Sequence, residues 1–243
     1  MMVFLLAAAS VHAQEVHVST GLRVGLNLTT FRYPNENPFQ NPTAPAGQNT
    51  VSSPYRPGLE VGFVGSINRG HFALQPALLY SQKGCHLDYD NGYPSINGYV
   101  AKPARFRARY NYLTLPLSLA YALRPDGEGL QVFAGPYVGL LLGGSYETED
   151  LSATPVPTGR NEVIPGNVED GDGRIRSRRF DAGVQMGVGF RCRNLLAQLD
   201  YSMGLRNIAA DFLSYGQSVP EAQPAYHNRG FQGSIGYLFG SNK

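Results

Sequence analysis

Residues 109–131 constrain this chain more than any other stretch. Within them Leu113, Leu115, Leu117, Leu119, Tyr121 and Leu123 recur at every second position, and Tyr112, Thr114, Pro116, Ser118, Ala120 and Ala122 fill the positions between. Strict alternation over this length is a strand signal, because successive side chains of a strand point to opposite faces. Residues 124–129 then supply a turn, with Pro125 pre-setting φ and Gly127 free to take a positive one. Beyond it Leu130, Val132, Ala134, Pro136, Val138, Leu140 and Leu142 resume the alternation. The hairpin has one bulky apolar face and one face of small or polar residues. A soluble barrel would bury the bulky face. Long arms backed by Gly, Ser and Ala fit a small transmembrane barrel instead, in which apolar residues meet lipid and a narrow lumen holds the rest.

The same alternation returns at 21–31, 57–67, 72–87, 105–123, 129–146, 177–190, 195–207 and 226–240, eight segments in all. The connections alternate too: 68–70, 124–128 and 191–194 are short, whereas 32–56, 88–104, 147–176 and 208–225 are long. Short turns on one rim and long loops on the other are the mark of outer-membrane barrels, and an even strand number closes the sheet without exposed edges. The expected fold is all-β: an eight-stranded antiparallel up-and-down transmembrane β-barrel. Phe72, Tyr121, Phe190 and Phe239 fall beside short turns on the apolar face, where an inner aromatic girdle belongs. Pro76, Pro116 and Pro136 lie inside strands, each removing a ladder donor, and bulges are expected to absorb them.

Composition agrees with a barrel. The 243 residues include 29 Gly, 15 Tyr and no Trp, only 16% are charged, and the net charge of +2 points away from a nucleic-acid partner. No later run approaches the roughly 18 apolar residues that a spanning helix needs. Residues 1–13 read as a secretory signal, with an apolar core at 3–9 and small residues before Gln14, though without the usual basic start. The domain reading is therefore a signal peptide at 1–13 and a barrel at 14–243, destined for the bacterial outer membrane.

An ordered series of short motifs runs along the chain: GLRVGLNL at 21–28, PGLEVG at 57–62, LQPALLYS at 74–81, YLTLPL at 112–117, GPYVG at 135–139, DAGVQMG at 181–187, YSMGLRNI at 201–208 and GYLF at 236–239. Each piece alone is weak, but the ordered series resembles the PorT-like outer-membrane β-barrel proteins of Bacteroidetes over almost the whole mature chain. The resemblance includes the in-strand prolines. It implies an outer-membrane barrel, and for some relatives a link to protein export by the type IX secretion route. It brings no catalytic or cofactor motif, so the expected role is non-catalytic, structural or interactive, through long outer loops that meet protein partners.

Parity assigns the side chains. Arg23, Glu60, Asp181, Asp200 and Arg206 share the lumen face with Asn27, Gln75, Gln185, Gln198 and Gln232, and buried polar groups must pair with one another. Strand pairing across 191–194 puts Asp181 diagonally near Arg206, an expected ion pair. Arg105, Arg107 and Arg109 share the parity of outward Leu113, and Arg174, Arg176 and Arg178 that of outward Phe180. Two arginine ladders are therefore expected above the apolar band, ready to contact lipid phosphate, lipopolysaccharide included.

Two other readings stay open: a lipid-modifying hydrolase and a soluble ligand-binding barrel. For the first, His86 with Ser81 and Asp88 is the best triad the chain offers, yet isolated histidines at strand ends favour solvated or interfacial positions. The acidic segment 167–173 resembles a calcium loop, but Arg174 stands where the next ligand belongs. No metal and no cofactor are expected. Cys85 belongs near the outer side and Cys192 in an inner turn, about 35 Å apart along tilted strands, too far for a disulfide.

Overall fold

In a computed structural model the described residues are 16–32, 51–52, 54–89, 104–150, 156–169, 174–213, 220, 222 and 225–240. The expected leader at 1–13 lies outside them. Thirteen strands form among them: β1 (His17–Arg32), β2 (Val51–Ser52), β3 (Arg56–Arg69), β4 (Phe72–Tyr89), β5 (Ala104–Ala122), β6 (Gly129–Asp150), β7 (Val156–Pro165), β8 (Val168–Glu169), β9 (Ile175–Ser177), β10 (Phe180–Cys192), β11 (Leu195–Gly204), β12 (Asp211–Phe212) and β13 (His227–Phe239). Among the described residues eight of them, β1, β3, β4, β5, β6, β10, β11 and β13, pair antiparallel in that order, and β13 returns to β1 to close a ring. Closure leaves these strands no open edge within the wall.

The register carries the alternation around the ring. Leu22, Val24 and Leu26 of β1 stand beside Phe63, Val61 and Leu59 of β3, and beside Tyr237, Ile235 and Gly233 of β13. Their large apolar side chains are exposed on the outside of the wall. The inward neighbours show how a narrow lumen admits long charged residues. Arg23 is flanked by Gly62 and Gly236, and Glu60 lies across from Gly25, so each long side chain grows into space its neighbours leave free. No helix among the described residues is long and apolar enough to cross a membrane, and in this fold the strands do the crossing.

The prolines do not sit in bulges. Pro76 pairs with Leu117, Pro116 with Tyr137 and Pro136 with Val184. Across the β3–β4 gap Val64 pairs with Ala77 and Ile67 with Leu74, so the register is the same on both sides. The strands skip ladder bonds at a proline and then resume, at no cost in alignment.

The bulge lies higher, where the register shifts opposite Asn111 and Tyr112 and β6 gains Leu142 as an extra residue. Gly143 follows it with φ 147°, a backbone that favours glycine. Below the bulge Leu141 faces in with Tyr112; above it Gly144 pairs with inward Tyr110, and Glu147 with outward Arg107. One inserted residue thus turns the acidic end of β6 outward. Above Gly143, β6 pairs with β7 on the edge where β10 pairs lower down.

At the opposite rim the turn after β5 is held locally. Asp126 accepts the backbone N–H of Glu128 and a guanidinium N–H of Arg124, which together hold its carboxyl below the usual range.

Candidate functional site

The lumen is filled by side chains. Apolar layers sit toward both ends: Val64, Leu79, Leu196 and Leu238 form one cluster, while Phe31, Cys85, Tyr110, Tyr112, Leu141, Val163 and Ile208 form the outer one. Ile208 arrives from the segment after β11. Its N–H donates to the Tyr226 carbonyl, and its own carbonyl accepts from Ser177 Oγ at 2.8 Å, which pins that segment over the outer mouth.

Two charged clusters occupy the lumen between them. Arg23 Nη2 is 3.0 Å from Glu60 Oε1 and 3.6 Å from Asp200 Oδ1, and all three side chains are buried. Arg23 Nη1 also donates to Gln198 Oε1, Gln198 to Gln75, and Gln75 to Gln131, at 3.2, 3.0 and 3.1 Å. In the other cluster Lys83 Nζ lies 3.2 Å from Asp181 Oδ2 and 4.3 Å from the centre of the Tyr137 ring. The same carboxylate accepts Tyr137 OH at 3.3 Å and Asn228 Nδ2 at 3.0 Å.

Of the five charged lumen residues expected from parity, Arg23, Glu60, Asp181 and Asp200 lie inside. Arg206 does not. β11 ends at Gly204, the Leu205 and Arg206 N–H groups both bend to the Ala182 carbonyl, and Arg206 is exposed with its guanidinium 5.9 Å from the Phe180 ring. The expected Asp181–Arg206 pair is therefore corrected to Asp181–Lys83. Lys83 was legible all along, since it shares the inward parity of Gln75 and Ser81.

The two arginine ladders fare differently. Arg105, Arg107 and Arg109 do take the outward positions of β5, opposite Glu149, Glu147 and Ser145 of β6. Arg107 Nη2 donates to Glu149 at 2.7 Å, and Arg160 of β7 lies 3.7 Å from Glu147, so this surface alternates in sign. The second ladder is not formed. Residues 175–177 make β9, which runs parallel to β7; Ser177 is buried, and Arg178 binds Asp211 at 3.2 Å. Arg174 precedes this short strand and Arg176 lies within it, and neither extends β10 beside β6.

The His86, Ser81 and Asp88 constellation is not assembled. Ser81 is buried in the lumen and bonded to Glu60, while His86 pairs with outward Arg107 across the β4–β5 ladder, on the opposite face. The side chain of Asp88 lies outside the described residues. His71 caps the inner end of β5 through the Ala122 carbonyl at 2.9 Å. In the calcium-like segment Val168 and Glu169 form β8 and pair with β12, and 170–173 lie outside the described residues. No group of three or more His, Cys, Asp or Glu among the described residues is placed to hold a metal. A soluble barrel with an apolar interior is excluded by the faces themselves, because the bulky side chains are outside and the ions inside.

The family model of the outer membrane protein beta-barrel domain matches residues 12–210. No curated protein matches the chain. Among solved structures the chain is similar to Ail, the attachment invasion locus protein of Yersinia pestis, at 8% identity and a TM-score of 0.41, over 92% of this chain and 99% of that one. It is also similar to neisserial surface protein A (9%, 0.39, 91% and 99%) and to the outer membrane protein OprG from Pseudomonas aeruginosa (10%, 0.33, 93% and 96%). With a closed ring of strands, an apolar exterior and a match over most of its length, the chain belongs to the outer membrane protein beta-barrel domain family and resides in the bacterial outer membrane.

Proposed function

We propose that this protein is a non-catalytic, self-plugged barrel of the PorT-like type, acting as a structural and interaction protein through its outer rim in support of protein secretion across the outer membrane. The observation that carries the reading is the lumen: among the described residues two buried ion clusters lie between apolar layers and fill it with side chains, so its work falls to surfaces outside the wall. The surface best built for a protein partner is the projecting β5–β6–β7 sheet. There β6 runs to Asp150, well beyond the last residue it shares with β10, and Arg107, Glu147, Glu149 and Arg160 present alternating charge.

Two measurements test this. Purified protein in planar bilayers is expected to give no ion-conducting steps, and a stable open channel would sink the plugged-barrel reading. Deleting the gene is expected to hold type IX cargo inside the cell, with rescue by the wild-type chain and weak rescue by Arg107→Glu/Arg160→Glu. Normal cargo release in the deletion strain would retire the secretion role.

A further inference from the structure

On the β5–β7 side of the barrel outward Arg105, Arg107 and Arg160 come with Glu149 and Glu147 beside them. Across the barrel the outward arginines have no such neighbours. At the outer end of the β1–β13 seam Arg32 pairs in register with His227, and Arg229 with Thr30 on one side and Met203 on the other. These positions continue the outward parity of Leu28 and Phe231, which places Arg32, His227 and Arg229 on the outer wall. None of the outward residues of β1, β3, β11 or β13 is acidic. Among the described residues neither Arg32 nor Arg229 makes an ion pair, and Arg229 Nε is buried without a hydrogen-bond partner.

Height settles what lies beside them. Along β13 the outward residues Phe239, Tyr237, Ile235, Gly233 and Phe231 form the apolar band. At about 3.3 Å per residue and a tilt near 40°, the climb from Phe239 to Arg229 is roughly 25 Å, the height of the lipid-facing band of such barrels. Tyr201 and Tyr55 pack on Phe231 at centroid distances of 5.0 and 5.9 Å, making an aromatic collar directly below Arg229. Facing side chains of neighbouring strands stand about 5 Å apart and diagonal ones about 7–8 Å. Like charges at that spacing repel unless an anion joins them. At this depth the anion at hand is the phosphate of an outer-leaflet lipid, and a guanidinium fork matches phosphate oxygens well.

We propose that Arg32 and Arg229, with His227 between them, form a binding site for the phosphate of an outer-leaflet glycolipid, its acyl chains lying along Leu28, Tyr201 and Phe231. The site is separate from the expected arginine ladders, in which Arg107 pairs with Glu149 and Arg178 with Asp211.

The test is native mass spectrometry of detergent-solubilised protein titrated with bisphosphorylated lipid A. Wild type is expected to retain the lipid, and Arg32→Gln/Arg229→Gln to lose at least about tenfold in affinity, each lost charge-assisted bond being worth about that factor or more. Arg107→Gln/Arg160→Gln should bind as wild type does. Lipid A stripped of phosphate should bind no better to wild type than to the double variant. Heat-induced mobility shift on a gel confirms that each variant retains the barrel. Equal retention by Arg32→Gln/Arg229→Gln, or an equal loss in the β5–β7 control, overturns the site. Inorganic phosphate saturating wild type at lower concentration than lipid A would assign the arginines to a free anion and overturn the lipid.

Discussion

Lys83 and Asp181 meet inside the barrel from β4 and β10, Nζ to Oδ2 at 3.2 Å, with both side chains almost wholly shielded from solvent. They come from strands that are not neighbours in the ring, so this pair bridges the lumen from wall to wall.

Removing one partner of this bridge leaves the other buried and uncompensated. Lys83→Met is expected to cost about 3–5 kcal/mol, and Lys83→Met/Asp181→Leu to cost less than that single change. Urea unfolding in lipid vesicles measures both. A double variant less stable than Lys83→Met would show that the bridge does not work as an isolated charge pair. In the same titration Arg206→Gln is expected to show no coupling to Asp181, because Arg206 lies outside the lumen.

The two faces of β5 should answer substitution in opposite ways. Leu117 is exposed on the wall midway between Tyr121 and Leu113, and Leu117→Arg should cost about 2–4 kcal/mol. Ser118 faces in and accepts Gln185 Nε2 at 2.9 Å, so Ser118→Thr, which keeps the hydroxyl, should be nearly silent. Equal tolerance at both positions would reverse the assignment of the faces.

Gly143 carries the bulge that turns β6 over. A side chain there must adopt φ 147°, so Gly143→Val should cost about 1–3 kcal/mol and loosen the strand extension above it. Proteolysis of the intact protein reports this directly, with faster cleavage expected between 143 and 165 and an unchanged wall. Wild-type resistance in the variant would show that the bulge does not depend on glycine.

The cysteines should react according to burial. Cys85 and Cys192 are both free thiols, Cys85 buried in the outer apolar cluster and Cys192 exposed at the inner turn. A membrane-impermeant maleimide on intact cells should label neither, and after permeabilisation it should label Cys192 alone. Labelling of Cys85 in the folded protein would mean that the outer plug opens.

The wall was written locally. Alternation needs only neighbouring residues, and it marks the outward face of every ring strand from Leu22 to Phe239, because a strand's period of two is a property of its own backbone. The in-phase series Gln75, Ser81 and Lys83 placed even the missed lysine inside. Other features depend on where a strand stops and what then covers it. Arg206 continues the inward parity of β11, yet the strand ends at Gly204 and the backbone bends to Ala182, which sends the side chain out. Arg176 and Arg178 continue the outward parity of Phe180, but β9 pairs with β7, so their phase relative to β10 is lost. Likewise the inserted Leu142 left the alternation of β6 intact on each side of it, while its consequence, Glu147 facing Arg107, exists only between two strands. Sequence by itself determined the period and the two faces, because those are one-strand properties. Tertiary structure decided which charges meet, since a lumen contact joins residues about a hundred positions apart and depends on the register of every strand between them.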